Sequence, residues 1–551
     1  SLMDLNFMNY RAIIAILIIL MAVYFVPAPA FSSADVSGEI QLRIEQIGKA
    51  ADYRIAKHSM HGKVFLADLY QANNFKPVWD DGLAEVLGDE IQNLSYDGLD
   101  PADYWFPSLD ALLGKKQNRS LDAAQQAELD LLLSEAFVRA YYNLLVGKVD
   151  PERLDENFNF PRPLNAEKRR PAVIAMLLQG RVADIFARAR PPEHAHRRLK
   201  EALAEYRAYA EAGGWPTVQT GAPLKPGDSG KRVAQLRARL SVTGDYTGKA
   251  DDPNLFDADL EQAVKRFQER HGLDIDGTAG PATLEAMNVP VQQRIDQLRV
   301  NLERQRWFMH ENHDEYIVAD IAGFNVYWIR NSEIIWSTRA QVGKDYSQTP
   351  VFKDMLRTIV FNPTWTIPPG IMARSILPNL KKDPDYLGKK GYLLLTHDGK
   401  EIDPLSVDWS KIDKMPYIVR QPAGPNNALG MVKFLFPNKH LVYLHDTNHR
   451  EHFADASRSF SSGCVRIEHP FDFAERLLAG QEDWDRNKID ATVKSGETKW
   501  VTLDQPIRII IAYSTAAARN GMVYFKHDIY NRDASVLKAL DAPFMLRRQD
   551  G

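Results

Sequence analysis

The 551-residue chain contains a single cysteine, Cys464. It sits in the turn Phe460-Ser461-Ser462-Gly463-Cys464-Val465-Arg466, and His445 lies 19 positions upstream in Val442-Tyr443-Leu444-His445-Asp446-Thr447. A thiol and a separate imidazole are the minimum set for acyl transfer. The thiolate attacks a carbonyl, and the imidazole takes the thiol proton and returns it to the leaving amine. Gly463 allows backbone conformations closed to other residues and lets a substrate come close. The N–H groups of Gly463 and Cys464 would then face a developing oxyanion, each such donor being worth about 100- to 1000-fold in rate. Two other readings stay open. A free cysteine is often a small buried apolar residue. His445, His449 and His452 with Cys464 also have the spacing of a zinc site. The stretch Asn448–Ser459 is polar and charged, however, so no helix would set these histidines on one face, and no metal is expected.

The histidine and the cysteine need elements that hold them. From Glu315 the pattern turns to β-branched and aromatic runs, Tyr316–Ile321, Phe324–Ile329 and Glu333–Thr338, then Thr358–Pro363. These predict an antiparallel sandwich or barrel. Strand Leu441–Leu444 would carry His445 at its end, and Trp500–Thr502 and Ile507–Tyr513 would close the sheet. Tyr443 shares a strand face with His445, whereas the Asp446 side chain points the other way, because strand side chains alternate. Between Trp365 and about Pro437 lies an insertion with helical Ile371–Leu380, an extended stretch near Gly391–Leu395 and the turn-rich Gln421–Gly430. Its length beside the histidine fits a lid, or a β-excursion with turn residues.

Upstream the period is helical. Leu129, Leu132, Leu133, Ala136, Phe137, Ala140, Tyr141 and Leu144 recur at helical spacing before the stop signal Gly147. Ala84–Leu94, Ala172–Ala187 and Glu193–Gly213 look similar, so 37–222 reads as helical with no chemistry of its own. Trp215–Pro226 reads as a linker. The pattern Gly230-x2-Val233-x2-Leu236-x3-Leu240, followed by Leu260-x2-Ala263-Val264-x2-Phe267, predicts short amphipathic helices joined by glycine-marked turns over 223–290. Val291–Arg306 is amphipathic again, and 291–314 returns to the helical part. At the start, Arg11 precedes the apolar run Ala12–Val26 and then Pro27-Ala28-Pro29-Ala30, an export signal over 1–36. Cleavage after Ala30 and retention as an inner-membrane anchor are both open. Export implies an oxidising compartment, where an odd thiol is flagged as reactive. The formal net charge of −4 gives no reason to expect nucleic acid as a partner.

The run His445-Asp446-Thr447 … Ser461-Ser462-Gly463-Cys464-Val465-Arg466 resembles the active-site signature of the L,D-transpeptidases (YkuD domain). Ser462 stands where most members have His, and the large multi-domain periplasmic branch (YcbB-like) is similar in having Ser there. Lys76-Pro77-Val78-Trp79 with Ser95-Tyr96-Asp97-Gly98-Leu99 resembles the scaffold domain of that branch. Phe267-Gln268 … Gly272-Leu273 … Asp276-Gly277 … Gly280 resembles the three-helix peptidoglycan-binding module PG_binding_1. The resemblance implies a multi-domain α+β fold. An all-α scaffold (37–222) and a peptidoglycan-binding module (223–290) would precede a mostly-β YkuD-like catalytic domain (315–551) with a lid insertion at about 366–437.

The implied roles follow residue by residue. Cys464 is the nucleophile and His445 the general base, then acid. Asp446 orients His445 through its main-chain carbonyl, and Gly463 supplies an oxyanion-hole N–H. Tyr443, Ser462, Trp365 and Asn427 are implied substrate-binding residues, Asn427 within Pro425-x-Asn427-x-Leu429-Gly430. Arg466 either anchors the turn or binds a substrate carboxylate with two prongs. The implied reaction is attack on a tetrapeptide stem of peptidoglycan, expulsion of D-alanine, and resolution of the thioester by the side-chain amine of a second stem. The product is a 3→3 cross-link, made without cofactor in the periplasm. Expected partners are the donor and acceptor stems, with carbapenem-type β-lactams as inhibitors and cell-wall synthesis proteins as further partners. Two other classes remain: a Cys-dependent peptidoglycan peptidase with water as acceptor, and a non-catalytic cell-wall-binding scaffold protein.

Overall fold

The computed structural model describes residues 33–155, 158–159, 166–309 and 314–544. The apolar run expected to direct export lies outside the described residues. No helix among the described residues is long and apolar enough to cross a membrane.

The helical half is built around Ala123–Val146, whose N-terminus carries a capping box between Asp122 and Gln125. Sixteen of its residues are buried, because neighbouring helices cover it on several sides. It stops at Gly147, which has φ +86; a Cβ there would collide with Glu303 and Trp307. Glu303 belongs to Val291–Phe308, which packs against both His194–Glu211 and Ala123–Val146. Its pair with Arg306 is fully buried, and Arg306 also donates to the Asp97 carbonyl.

Three helices, Lys231–Val242, Ala258–Arg270 and Pro281–Asn288, close over their own core of Leu236, Leu240, Leu260, Val264 and Phe267. Arg270, paired with buried Asp245, donates to the Val523 carbonyl and so ties this unit to the hairpin Ala516–Arg519/Met522–Phe525. That hairpin packs on His194–Glu211 and Val291–Phe308.

The β half contains a closed sheet. We number its strands β1 (Glu315–Asp320), β2 (Asn325–Arg330), β3 (Glu333–Gly343), β4 (Val351–Phe361), β5 (Val432–Leu435), β6 (Leu444–His445), β7 (Val465–Ile467) and β8 (Lys499–Ala512). The order is β5-β6-β7-β3-β2-β1-β8-β4, and β4 pairs back to β5. An all-antiparallel sheet was expected, but β6/β7 and β1/β8 run parallel. The reason is connectivity: a parallel neighbour needs a crossover, and Asn448–Ser459 supplies one between β6 and β7. The expected strand Leu441–Leu444 is also shifted, to Leu444–His445. Leu441 instead has φ +56 and is 65% exposed, so it cannot pair in a sheet.

Residues Trp365–Gln421 leave the sheet between β4 and β5. They form a four-stranded sheet of their own over a separate core that includes Leu377, Leu380, Leu394, Trp409 and Val419. This segment, the cap, shares a cavity with β6 and β7, its Trp365, Ile371 and Arg374 lining the wall opposite His445 and Arg466.

Candidate active site

The strand register gathers the chemistry into one row. Trp500 of β8 is opposite Val360 of β4, which is opposite Lys433 of β5. Lys433 is opposite His445, His445 is beside Arg466, and Arg466 is opposite Gln341 of β3. Directly opposed residues share a sheet face. The alternate positions Phe434, Leu444, Val465 and Ile467 point into the barrel core. Lys433, His445, Arg466 and Gln341 therefore share the face turned away from the barrel core.

Cys464 and His445 line one cavity of about 260 Å³. Tyr443, Ser462, Arg466 and Trp365 line it as well. The Tyr443 and His445 rings meet edge-to-face at 5.7 Å. Asn427 is not in the cavity wall. It is buried, its amide donates to the carbonyls of Pro363 (3.1 Å) and Pro422 (2.8 Å), and its oxygen accepts from Leu429 N–H. Every polar atom of that side chain is spent on backbone, so substrate contact is corrected to a bracing role.

His445 Nδ1 lies 2.5 Å from the Asp446 carbonyl oxygen. A carbonyl only accepts, so Nδ1 carries the proton and Nε2 is the basic nitrogen. The Asp446 carboxylate points away, accepting from Met431 N–H and pairing with Arg450. A Cβ on Gly430, at φ +60, would lie 2.4 Å from that carboxylate, which is why glycine stands there. The Leu429 carbonyl also faces the His445 ring. Asn427 thus fixes Leu429, and Leu429 helps hold the imidazole.

The turn around Cys464 is stapled by Ser461. Its buried hydroxyl donates to the Cys464 carbonyl at 2.5 Å and accepts from Gly463 N–H at 3.1 Å. The expected oxyanion donor Gly463 is therefore engaged within the turn. Gly463 has φ +118, a region that only glycine enters freely. The half-buried thiol lies 3.8 Å from the Leu441 carbonyl. Asn438 accepts from the N–H groups of His440 and Val442 and so fixes the strained Leu441 between them.

Burial pushes the Cys464 thiol up, against the pull of the Tyr443 contact and of the Arg466 and Lys433 cations. Burial, with Arg466 next, pushes His445 down to about 3. The couple therefore rests as a neutral thiol and a neutral imidazole. Arg466 donates to Gln341, whose amide donates to the His449 carbonyl, so Arg466 is anchored within the row.

The four groups of the zinc reading do not converge. His449, exposed, pairs with Glu451, and His452, half-buried, pairs with Asp455. Among the described residues no three potential ligands gather around a point. Sequence reasoning missed Lys433, Gln341 and Leu441. Lys433 breaks the apolar run of its short strand, and that polar interruption was the one available signal.

Residues 314–493 match the L,D-transpeptidase catalytic domain family (YkuD), residues 65–203 the scaffold domain family and residues 229–287 the peptidoglycan binding domain family PG_binding_1. The chain carries a YkuD L,D-transpeptidase catalytic domain. A Haemophilus influenzae protein bearing the name L,D-transpeptidase is 34% identical over 221 residues, 40% of this chain and 45% of that protein. The chain thus spans less than half the length of that relative. The Mycobacterium tuberculosis N-acetylmuramoyl-L-alanine amidase CwlM is 39% identical over 80 residues, 13% of this chain and 20% of that protein. The solved L,D-transpeptidase of Stackebrandtia nassauensis is aligned over 56% of this chain and 99% of its own, at 15% identity and a TM-score of 0.21. The YkuD match includes both His445 and Cys464, and the mostly-β part expected for it is the closed sheet described above.

Proposed function

We propose that this chain is a peptidoglycan L,D-transpeptidase that forms 3→3 cross-links through a Cys464 thioester. The observation that carries the reading is that the two residues of the YkuD signature, His445 and Cys464, line one cavity with the imidazole proton fixed on Nδ1. His445 Nε2 takes the thiol proton as sulfur attacks the third stem residue's carbonyl. The imidazolium that forms is held by the Asp446 and Leu429 carbonyls. The Cys464 N–H is the turn's donor to the oxyanion, with Gly463 N–H available if the Ser461 staple opens. His445 then returns the proton to the departing D-alanine, and the amine of an acceptor stem resolves the thioester with the same base.

The division into scaffold (37–222), peptidoglycan-binding module (223–290), returning helix (291–314) and catalytic domain with lid (315–551) belongs to the same proposal. So does an extracytoplasmic location, which a wall substrate requires. Trp365, Tyr443 and Ser462 are assigned to substrate contact because they line the cavity.

The test is intact-protein mass after incubation with a carbapenem, with Cys464→Ala as control, followed by product analysis on tetrapeptide stems. A stoichiometric adduct on the wild type alone, with D-alanine release and 3→3 dimers, is expected. Hydrolysed stems without dimers would show water as the acceptor, and no adduct on folded protein would overturn the reading.

A further inference from the structure

The catalytic cavity is cationic in an acidic chain. The sequence carries 72 acidic residues against 68 basic, yet no aspartate or glutamate lines this cavity, and two arginines do. Arg466 donates one guanidinium N–H to Gln341. Arg374 is exposed and, among the described residues, makes no ion pair or hydrogen bond. It comes from the cap, with its guanidinium 3.8 Å from where a Cβ on Gly370 would stand.

Its placement has a cause in the sequence. Pro378 has no N–H to offer the carbonyl four residues back, which is that of Arg374. Just before it the helix widens into a π-turn over Met372–Ile376, closed by Leu377 N–H on the Met372 carbonyl. Such turns displace side chains from the regular helical positions and recur at functional sites. Here the π-turn carries Arg374 in the wall of the cavity.

We propose that Arg374 is a specificity residue that takes a free carboxylate of the donor stem peptide and so places the attacked carbonyl over Cys464. The inference rests on the transpeptidase reading and names the substrate chemistry of that site. A planar guanidinium binds a carboxylate with two parallel hydrogen bonds, and an arginine without a competing carboxylate is ready to do so. Arg466 gives one N–H to Gln341 from within the sheet, whereas Arg374 reaches the cavity from the cap.

Because Cys464 is the sole cysteine, the charge preference of the cavity can be read directly on the full chain. Iodoacetate and iodoacetamide form the same C–S bond with loss of iodide and differ in charge. The ratio of their rates is measured at low ionic strength, where screening is weak, for wild type, R374Q and R374K. The expected result is a fall of about tenfold in R374Q, the factor that 1.4 kcal/mol represents, and substantial recovery in R374K. In parallel, KM for a tetrapeptide donor with free carboxylates should rise in R374Q, while a donor with amidated carboxyls should be unaffected. An iodoacetate-to-iodoacetamide ratio within twofold of wild type in R374Q overturns the anion site. A fall in the ratio with no acylation by either donor in wild type overturns the stem peptide as its occupant, and the transpeptidase reading with it.

Discussion

The resting charge state of the site has a direct consequence for the pH dependence of Cys464 alkylation. The thiol's ordinary value is 9.0, and burial raises it. His445 is pushed down to about 3. A thiolate–imidazolium pair at rest needs the opposite order, with the thiol more acidic than the imidazolium. Arg466, Lys433 and the Tyr443 hydroxyl all face the sulfur and favour the thiolate, but burial outweighs them. With the thiol at or above its ordinary value, the thiolate is at most about 1% of the enzyme at pH 7, and its share rises about tenfold per pH unit. The rate constant for iodoacetamide should therefore climb about 300-fold between pH 6 and pH 8.5, with unit slope in the logarithm. His445→Ala should leave that slope unchanged while lowering acyl transfer by about 100- to 10,000-fold, the worth of a positioned general base. Mass spectrometry on the single cysteine gives both rates. A plateau in alkylation rate from about pH 5 to pH 8, abolished by His445→Ala, would show a preformed ion pair and refute the reasoning.

Three further outcomes follow from the geometry. Ser461→Ala removes a buried hydroxyl that serves both Gly463 N–H and the Cys464 carbonyl; urea unfolding should show a loss of about 1–3 kcal/mol, and acylation should slow with it. Asn427→Ala strips the brace from Leu429 and should lower kcat for donor acylation with little change in KM; a rise in KM alone would restore the substrate-contact role. Three histidines, His196, His271 and His445, are held neutral by burial, each with its folded pKa lowered from 6.5. Below that value the unfolded chain takes up protons that the folded chain refuses, so stability is full above pH 6.5 and falls on acidification by about 1.4 kcal/mol per pH unit for each histidine. Urea unfolding at pH 7.5 and pH 5 should therefore differ by about 2 kcal/mol in each unit that contains one of them, and equal midpoints would contradict their neutral burial.

What the sequence made legible was local, and what it hid depends on register. Cys464 and His445 stand out because a lone cysteine after Ser-Ser-Gly and a histidine after an apolar run are readable without any contact map. The helices are readable for the same reason, since their apolar spacing is set within a few turns. The direction of the Asp446 side chain also followed from strand alternation alone, and its bond to Met431 N–H agrees. Lys433 and Gln341 could not be found this way. They join the row because β5 is opposite β6 and β7 is opposite β3, and one residue of slip would send both to the barrel core. Asn427 misled because a polar residue in a turn-rich motif looks exposed, whereas here the turn folds back on β4 and the side chain replaces missing backbone partners. The same distinction separates the two arginines at the cavity. Arg466 lies within the register of the sheet and donates to Gln341 there. Arg374 is set by a helix defect in the cap, outside that register, and keeps its donors for a ligand. Arg466 and Lys433 are placed by the sheet, and Arg374, placed by the cap, adds a cation whose donors are all open to a ligand.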